Sequence, residues 1–318
     1  KEDDSTILNR IKLGVTEYVS IHSMSDEQAA RAIREREIDI LVDLQGLTAG
    51  ARASILSYRP APHSITYLGF PGPVGHPEID YVLSDDYLIT PEMEPYFVER
   101  PLRLKTIFQM SDDQRAVAEK PNRKKYGLPK DKVVFCSFSN NYKITPELFA
   151  TWMRILKRVP GSVLWLLADN EWSKANMLEF AKLHHINQDR LIFAPREMPD
   201  MYQARYQMAD LFLDTFPFNA GTTANDALFM NLPILTMSGN TFASRMAGAL
   251  LHGLGLDELI VDNLKDYEEK AVSLGLDRKL LLSYPERIGR ARIETGVFDS
   301  RRVLQEIENA YLGVMNRL

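Results

Sequence analysis

Short runs of β-branched and aliphatic residues alternate with longer amphipathic stretches along much of this chain. A short apolar run bounded by turn residues reads as a buried strand, and a 3.6-residue apolar period reads as a helix. On that basis Ile38 to Leu44 (IDILVDL) is a strand, followed by Gln45-Gly46 and the small-residue stretch Thr48-Ala49-Gly50-Ala51. Ser64 to Leu68 and Tyr81 to Ser84 are further strands. Between them, Gly69-Phe70-Pro71-Gly72-Pro73 holds too many prolines and glycines to be anything but a loop. Pro91 to Gln109 has no clean period, and the charged, apolar-poor Ser111 to Lys125 reads as a linker.

Beyond that stretch the alternation is cleaner. It predicts strands at Val133 to Phe138, Val163 to Ala168, Arg190 to Ala194, Leu211 to Asp214, Pro233 to Met237 and Leu259 to Val261. Helices are predicted at Pro146 to Arg158, Lys174 to His184, Pro199 to Met208, Thr222 to Met230 and Phe242 to Gly253. Two closing helices follow, the last from Arg301 to Met315, expected to return toward the first half. Strands spaced by helices imply a parallel sheet covered on both faces. The expected fold is therefore α/β, with two Rossmann-like lobes and a ligand at the carboxyl edges of the strands. The expected boundaries are 1–115 for the first lobe, 126–285 for the second and 286–318 for the closing helices. At about 150 residues per domain, 318 residues suit that division.

Composition narrows the function. A net charge of −5 argues against a protein built to neutralise a nucleic-acid backbone. The one cysteine, Cys136, excludes an intramolecular disulfide and any multi-cysteine metal site, and its apolar neighbours Val133-Val134-Phe135 suit a buried, inert thiol. No apolar run approaches the roughly 20 residues that span a bilayer, and the amino end is not a signal peptide, so the expected location is cytoplasmic. There is no Walker loop, no GxGxxG after a strand, no Asp-x-Asp and no Gly-x-Ser-x-Gly. His184 and His185 are adjacent, hence about 100° apart on a helix, and do not form a ligand pair. His63 reads as structural.

The most informative segment is ADLFLDTFPFNAGTTANDALFM, ending at Met230. An apolar strand leads through a loop to Gly221-Thr222-Thr223, which opens a helix. Such a start presents unpaired N–H groups and the positive end of the helix dipole to an anion. Gly221 allows close approach, Thr222 and Thr223 add hydroxyl donors, and Asp226 one turn on suits a ribose hydroxyl. The same residues fit a plain cap at Thr222. Asn140-Asn141-Tyr142-Lys143 follows the first strand of this half, which aims Lys143 at the same edge. Alone it reads as solvated surface; facing a phosphate site it would offset pyrophosphate charge. Tyr202 and Arg205, three apart, share one helix face and suit a base and a phosphate, or an ordinary amphipathic surface.

Taken together, IDILVDLQGLTAGAR, LSYRPAPHSITYLGFPGPVG, FSNNYKITP, ILKRVPGSVLWLL, ADLFLDTFPFNAGTTANDAL and FASRMAGALLHGLGLDELI resemble the catalytic region of the O-linked N-acetylglucosamine transferase family. The FPFNAGTT variant is closer to its bacterial and Spindly-type branches. The resemblance implies a GT-B fold and metal-independent, inverting transfer of a sugar from UDP-GlcNAc to Ser or Thr of intracellular proteins, with no cofactor. It places the pyrophosphate-stabilising lysine at Lys143 and the polar residue before it at Asn140. The phosphate threonines fall on Thr222 and Thr223, the ribose acceptor on Asp226, and the base-flanking residues on Tyr202 and Arg205. Gly221 stands where the animal enzyme has a histidine. Leu68, Gly69, Phe70 and Pro71 correspond to a loop that touches the sugar, and Thr6 to a sugar-contacting threonine. Within the class, GDP-fucose or UDP-glucose are alternative donors, and a noncatalytic sugar-nucleotide or protein-binding module is the alternative outside it. The family's first βαβ unit, with its acceptor-side histidine, and its tetratricopeptide repeats are expected before Lys1. Without that unit, Ile38 to Leu44 would expose apolar residues such as Ile40 and Val42, and nucleotide binding without protein glycosylation is the expectation for these residues alone.

Overall fold

The computed structural model of this chain describes residues 5–167 and 170–316. Ala168, the expected end of one strand, lies outside them. The fold divides into two compact units, Lys1–Leu83 with Tyr96–Pro101 and Ser84–Pro95 with Leu102–Leu318.

The first unit opens with two helices that the hydrophobic pattern does not announce, α1 (Thr6–Gly14) and α2 (Asp26–Arg34). Both are mostly polar, and α2 is set by its cap: Ser25 accepts from Gln28 N while the Gln28 side chain accepts from Ser25 N. Strands β1 (Ile40–Asp43), β2 (His63–Thr66), β3 (Tyr81–Asp85) and β4 (Arg100–Leu104) form a sheet in that order, β1 to β2 and β2 to β3 running parallel. Strand β4 lies inside the stretch expected to be irregular. Only Leu102 and Leu104 of RPLRL are buried, and a short edge strand tolerates its proline, so the apolar signal is too brief to read. At the other edge, β1 is half-buried, with Leu44 61% and Leu47 55% exposed just beyond it. A cavity of about 1080 Å³ opens among α1, β1 and the segment from Tyr18 to Asp26.

The second unit carries β5 (Val134–Ser137), α3 (Pro146–Arg158), β6 (Val163–Leu167), α4 (Glu171–Leu183), β7 (Leu191–Ala194) and α5 (Pro199–Arg205). After them come β8 (Leu211–Leu213), α6 (Thr222–Phe229), β9 (Ile234–Met237), α7 (Met246–Gly253) and β10 (Ile260–Val261). Three helices close the chain, where two were expected: α8 (Leu264–Leu276), α9 (Arg278–Thr295) and α10 (Ser300–Met315). The extra break is made by one residue. Asp277 ends α8 and caps α9, accepting from Leu280 N. The six strands run parallel in the order β10-β9-β8-β5-β6-β7. Counted from β5, that is the doubly wound order 3-2-1-4-5-6, whose direction reverses between β5 and β8. The strands are legible in the sequence because both faces are buried: Phe135, Trp165 and Phe212 are fully enclosed.

The charged stretch Ser111 to Lys125 falls within this unit. Two of its arginines are anchors. Arg123 Nη2 donates to the buried Asp210 at 2.7 Å, whose same oxygen accepts from Val134 N at 2.8 Å, and Arg115 reaches α6. Helix α10 returns to the segment after β4, where Glu306 accepts from Lys105 N at 2.8 Å and Thr106 N at 2.9 Å. Among the described residues no helix is long and apolar enough to cross a membrane.

Candidate active site

The reversal point between β5 and β8 is where a doubly wound sheet leaves a crevice at its carboxyl edge. Both segments singled out by the sequence end there. After β5, a single 3-10 turn (Asn141–Lys143) precedes α3, which Thr145 caps by accepting from Leu148 N, with Pro146 at the first position. Asn141 fastens the turn to β6 through Leu167 O at 2.8 Å. The turn directs Lys143 Nζ onto Asn219 O at 2.9 Å, with the ammonium 3.7 Å from the centre of the Phe218 ring. Burial pushes the Lys143 pKa down, and the nearby Asp214 opposes that. Asn140 is exposed beside it.

After β8, the loop from Asp214 to Gly221 is held from beneath. Asp214 is 1% exposed. Its Oδ1 accepts from Thr215 N and Ala220 N, each at 2.7 Å, and its Oδ2 accepts from Thr236 Oγ1 at 2.6 Å. Burial pushes its carboxyl up to about 7, against those three bonds and the charge of Lys143. Asn219 Nδ2 donates to Thr215 O at 2.8 Å and to Met237 O at 3.2 Å. The loop includes a cis Phe216–Pro217 peptide.

This loop delivers the start of α6. The plain-cap reading of Thr222 does not hold: the cap position is Gly221, which has no side chain to bond the first N–H groups of the helix. Thr222 is exposed and Thr223 half-buried. A Cβ added at Gly221 would meet only Met246, at 3.4 Å, so the fold itself does not demand glycine there. What the glycine leaves is open backbone at a positive helix end, a ready anion site.

Asp226 is 6% exposed and already engaged. Arg115 Nη1 donates to its Oδ1 at 2.6 Å, and Gln203 also hydrogen-bonds it; burial pushes its pKa up while these partners pull it down. Arg115 Nη2 donates to Asn225 Oδ1 at 3.0 Å, and the guanidinium lies 4.2 Å from the centre of the Phe229 ring. Neither Arg115 nor Asp214 was singled out from the sequence. Arg115 sits in a run of charges that reads as solvated, and nothing in that run names a partner on α6. Asp214 did carry a signal, an acid set directly after an apolar strand triplet.

On α5, Tyr202 and Arg205 do share a face, but in contact. The Arg205 guanidinium is sandwiched between Phe138 at 4.0 Å and Tyr202 at 4.3 Å, with only 1% of the residue exposed. Its Nη1 donates to Pro195 O at 3.2 Å, while Nε and Nη2 have no partner among the described residues. Buried guanidinium donors left unpaired are costly. The Tyr202 hydroxyl bonds that of Tyr206 at 2.8 Å.

The remaining expected residues lie in the first unit. Thr6 is the first residue of α1, after the cap Ser5. Leu68, Gly69, Phe70 and Pro71 follow β2. Leu68 has φ 61°, and a Cβ at Gly69 would lie 2.2 Å from Leu44 O, so this loop rests directly on the backbone after β1 and only glycine fits. Cys136 is fully buried, and burial pushes its thiol pKa well up. Among the described residues no cluster of three His, Cys, Asp or Glu side chains has the spacing of a metal site.

Two α/β units, each with a sheet that includes parallel strands, and a helix start left open at the reversal point of the second, are features of the GT-B fold. The chain belongs to glycosyl transferase family 41, whose profile matches residues 1–121 and 112–307. It is 33% identical over 321 residues to the probable UDP-N-acetylglucosamine–peptide N-acetylglucosaminyltransferase SEC of Arabidopsis thaliana, a match covering 99% of this chain and 33% of the relative. With the protein of the same activity name, SPINDLY, of Solanum lycopersicum, it shares 30% identity over 305 residues, 93% of this chain and 32% of the relative. A mutant O-GlcNAc transferase of Thermobaculum terrenum superposes with a TM-score of 0.88 at 25% identity, over 97% of this chain and 59% of that one. The chain thus spans about a third of the length of the curated relatives it matches.

Proposed function

We propose that this chain forms the donor-binding and catalytic part of a protein glycosyltransferase that moves N-acetylglucosamine from UDP-GlcNAc to Ser or Thr hydroxyls without a metal. The carrying observation is that Lys143, bonded to Asn219 O two residues before Gly221, and the uncapped start of α6 lie at one reversal point of the sheet. In the reaction, the acceptor hydroxyl oxygen forms a bond to the anomeric carbon on the face opposite the diphosphate while its proton passes to solvent. The bond from that carbon to the diphosphate oxygen breaks, and its electron pair stays on the diphosphate. That growing charge is the one a metal commonly offsets. Here Lys143 and the N–H groups at Thr222 and Thr223 face it, in a setting already fixed by the Asp214 network, so no reorganisation is needed at the moment of transfer.

The other assignments rest on the family resemblance. Asp226 takes a ribose hydroxyl, and Tyr202 and Arg205 flank the base. Leu68 to Pro71 and Thr6 are assigned to the sugar by family resemblance. Calorimetry with UDP and with GDP on this chain tests the reading. UDP binding that falls at least tenfold in Lys143→Ala supports it. Preference for GDP moves the donor to a GDP-sugar, and failure to bind either nucleotide overturns the proposal.

A further inference from the structure

Arg115 is a guanidinium with its hydrogen-bonding edge turned inward onto two α6 side chains. It donates to Asp226 Oδ1 at 2.6 Å and Asn225 Oδ1 at 3.0 Å, and its flat face lies on Phe229 at 4.2 Å. The Arg115 side chain is 15% exposed and that of Asp226 8%. The segment that carries it is pinned on both sides: Asn225 Nδ2 donates to Ser111 Oγ, and Ala118 N donates to Asp200 O at 3.2 Å, on α5. A planar fork held at this many points fixes the rotation of the carboxylate it grips.

We propose that Arg115 is a positioning residue of the nucleotide site, holding one oxygen of Asp226 so that the carboxylate presents its remaining acceptor capacity to the ribose hydroxyls. This rests on the assignment of Asp226 as the ribose acceptor. A neutral or freely rotating carboxyl in the same place would read those hydroxyls poorly, because a charge-assisted bond is about twice as strong as a neutral one.

The groups around Asp226 set the sign of the pH effect. From the 111–118 segment it faces Arg115; from α5 it faces Gln203, Arg205, Tyr202 and Tyr206; and on α9, Arg292 faces Arg115. Burial raises the Asp226 pKa, and Arg115 is one of the groups that lower it. Its loss raises that pKa further, so the carboxylate is lost at a higher pH.

The test compares binding of UDP with that of 2′,3′-dideoxy-UDP by calorimetry across pH, in the wild-type chain and in Arg115→Gln, Arg115→Lys and Asp226→Asn. The expectation for Arg115→Gln is about a tenfold loss of the preference for UDP, equal to about 1.4 kcal/mol. Binding of the dideoxy nucleotide stays within twofold. The pH at which the preference fades moves upward, and Arg115→Lys recovers part of it by restoring the charge. A role confined to folding would weaken both nucleotides alike and leave that pH unmoved, and that result overturns the proposal. If Asp226→Asn abolishes the preference while Arg115→Gln leaves it intact, the Arg115 role is wrong and the ribose assignment stands. If Asp226→Asn leaves the preference intact, the ribose assignment has failed, and the Arg115 role with it.

Discussion

Replacing Asp214 with asparagine removes a charge from the floor of the site and leaves its shape. Three donors converge on this carboxylate, and an amide oxygen can keep the two backbone bonds from Thr215 and Ala220. The amide NH₂ must then face Thr236 Oγ1, which rotates its hydroxyl to accept. In the wild-type chain, burial raises the carboxyl from 3.8 to about 7. An acid whose folded pKa lies above its unfolded value favours folding when protonated. Its contribution is whole below about pH 4 and is lost as the pH rises through about 7. A rise of that size corresponds to at most roughly 4 kcal/mol between the two ends, since relaxation and the charge of Lys143 reduce it. Asp214→Asn does not titrate, so its stability relative to wild type should improve by roughly 2–4 kcal/mol between pH 5 and pH 8.5. Guanidinium unfolding read by tryptophan fluorescence measures this directly, because the fully buried Trp152 and Trp165 both lie in the unit that holds Asp214. A stability difference that stays constant over that pH range would refute the reasoning, and with it the claim that Asp214 is the titrating floor of the loop.

Lys143→Ala should lower sugar transfer by about a hundredfold or more, the effect of removing about 3 kcal/mol of charge compensation from the transition state, as measured in full-length protein by release of UDP from UDP-GlcNAc in the presence of a Ser/Thr peptide. Its unfolding midpoint should move little, since the lost bond to Asn219 is offset by no longer burying an ammonium. Asp210→Ala should cost about 1–3 kcal/mol in urea unfolding, because it frees Val134 N at the start of the central strand and one Nη of Arg123, whose other donors keep their backbone carbonyls. Gly69→Ala should loosen the first unit by more than about 2 kcal/mol, since the new methyl would overlap the Leu44 carbonyl. Faster hydrogen exchange across residues 40–72, with the second unit unchanged, is the expected readout.

How much of this could be read from the chain differs by element, for physical reasons. Strands β5, β6, β8 and β9 stand out because both of their faces are buried, so nearly every residue is apolar. Helix α3 was placed to the residue because Thr145, Pro146 and an apolar stripe agree. Helices α1 and α2 were missed because they bury little: no residue of α1 is fully enclosed, and of α2 only Ala29 and Ala30 are. That Lys143, Gly221 and Thr222 lie in loops after strands of one sheet was legible, since a parallel sheet sends every such loop to the same edge. Arg115 was not. Its meaning depends on Asp226, far along the chain, and a guanidinium bound to a buried carboxylate has the same local sequence as one in water. That Arg205 is enclosed likewise comes from Phe138 on another element, which helical spacing cannot show.

The strand order also governs how the polypeptide acquires its shape during synthesis. Strand β5 is the first of its sheet to leave the ribosome and the one that ends up in the middle, flanked by β6 and β8. Its edge toward β6 closes early. The other edge, where Phe135 pairs with Leu211, stays open until β6, β7 and three helices have been made. At about 5–20 residues per second that is several seconds during which an apolar strand edge is bare. The crevice that joins Lys143 to α6 is created by that same late pairing. Nascent chains that stall before Leu211 would therefore be both inactive and prone to stick, and the interval between β5 and β8 is the period in which a chaperone has most to do.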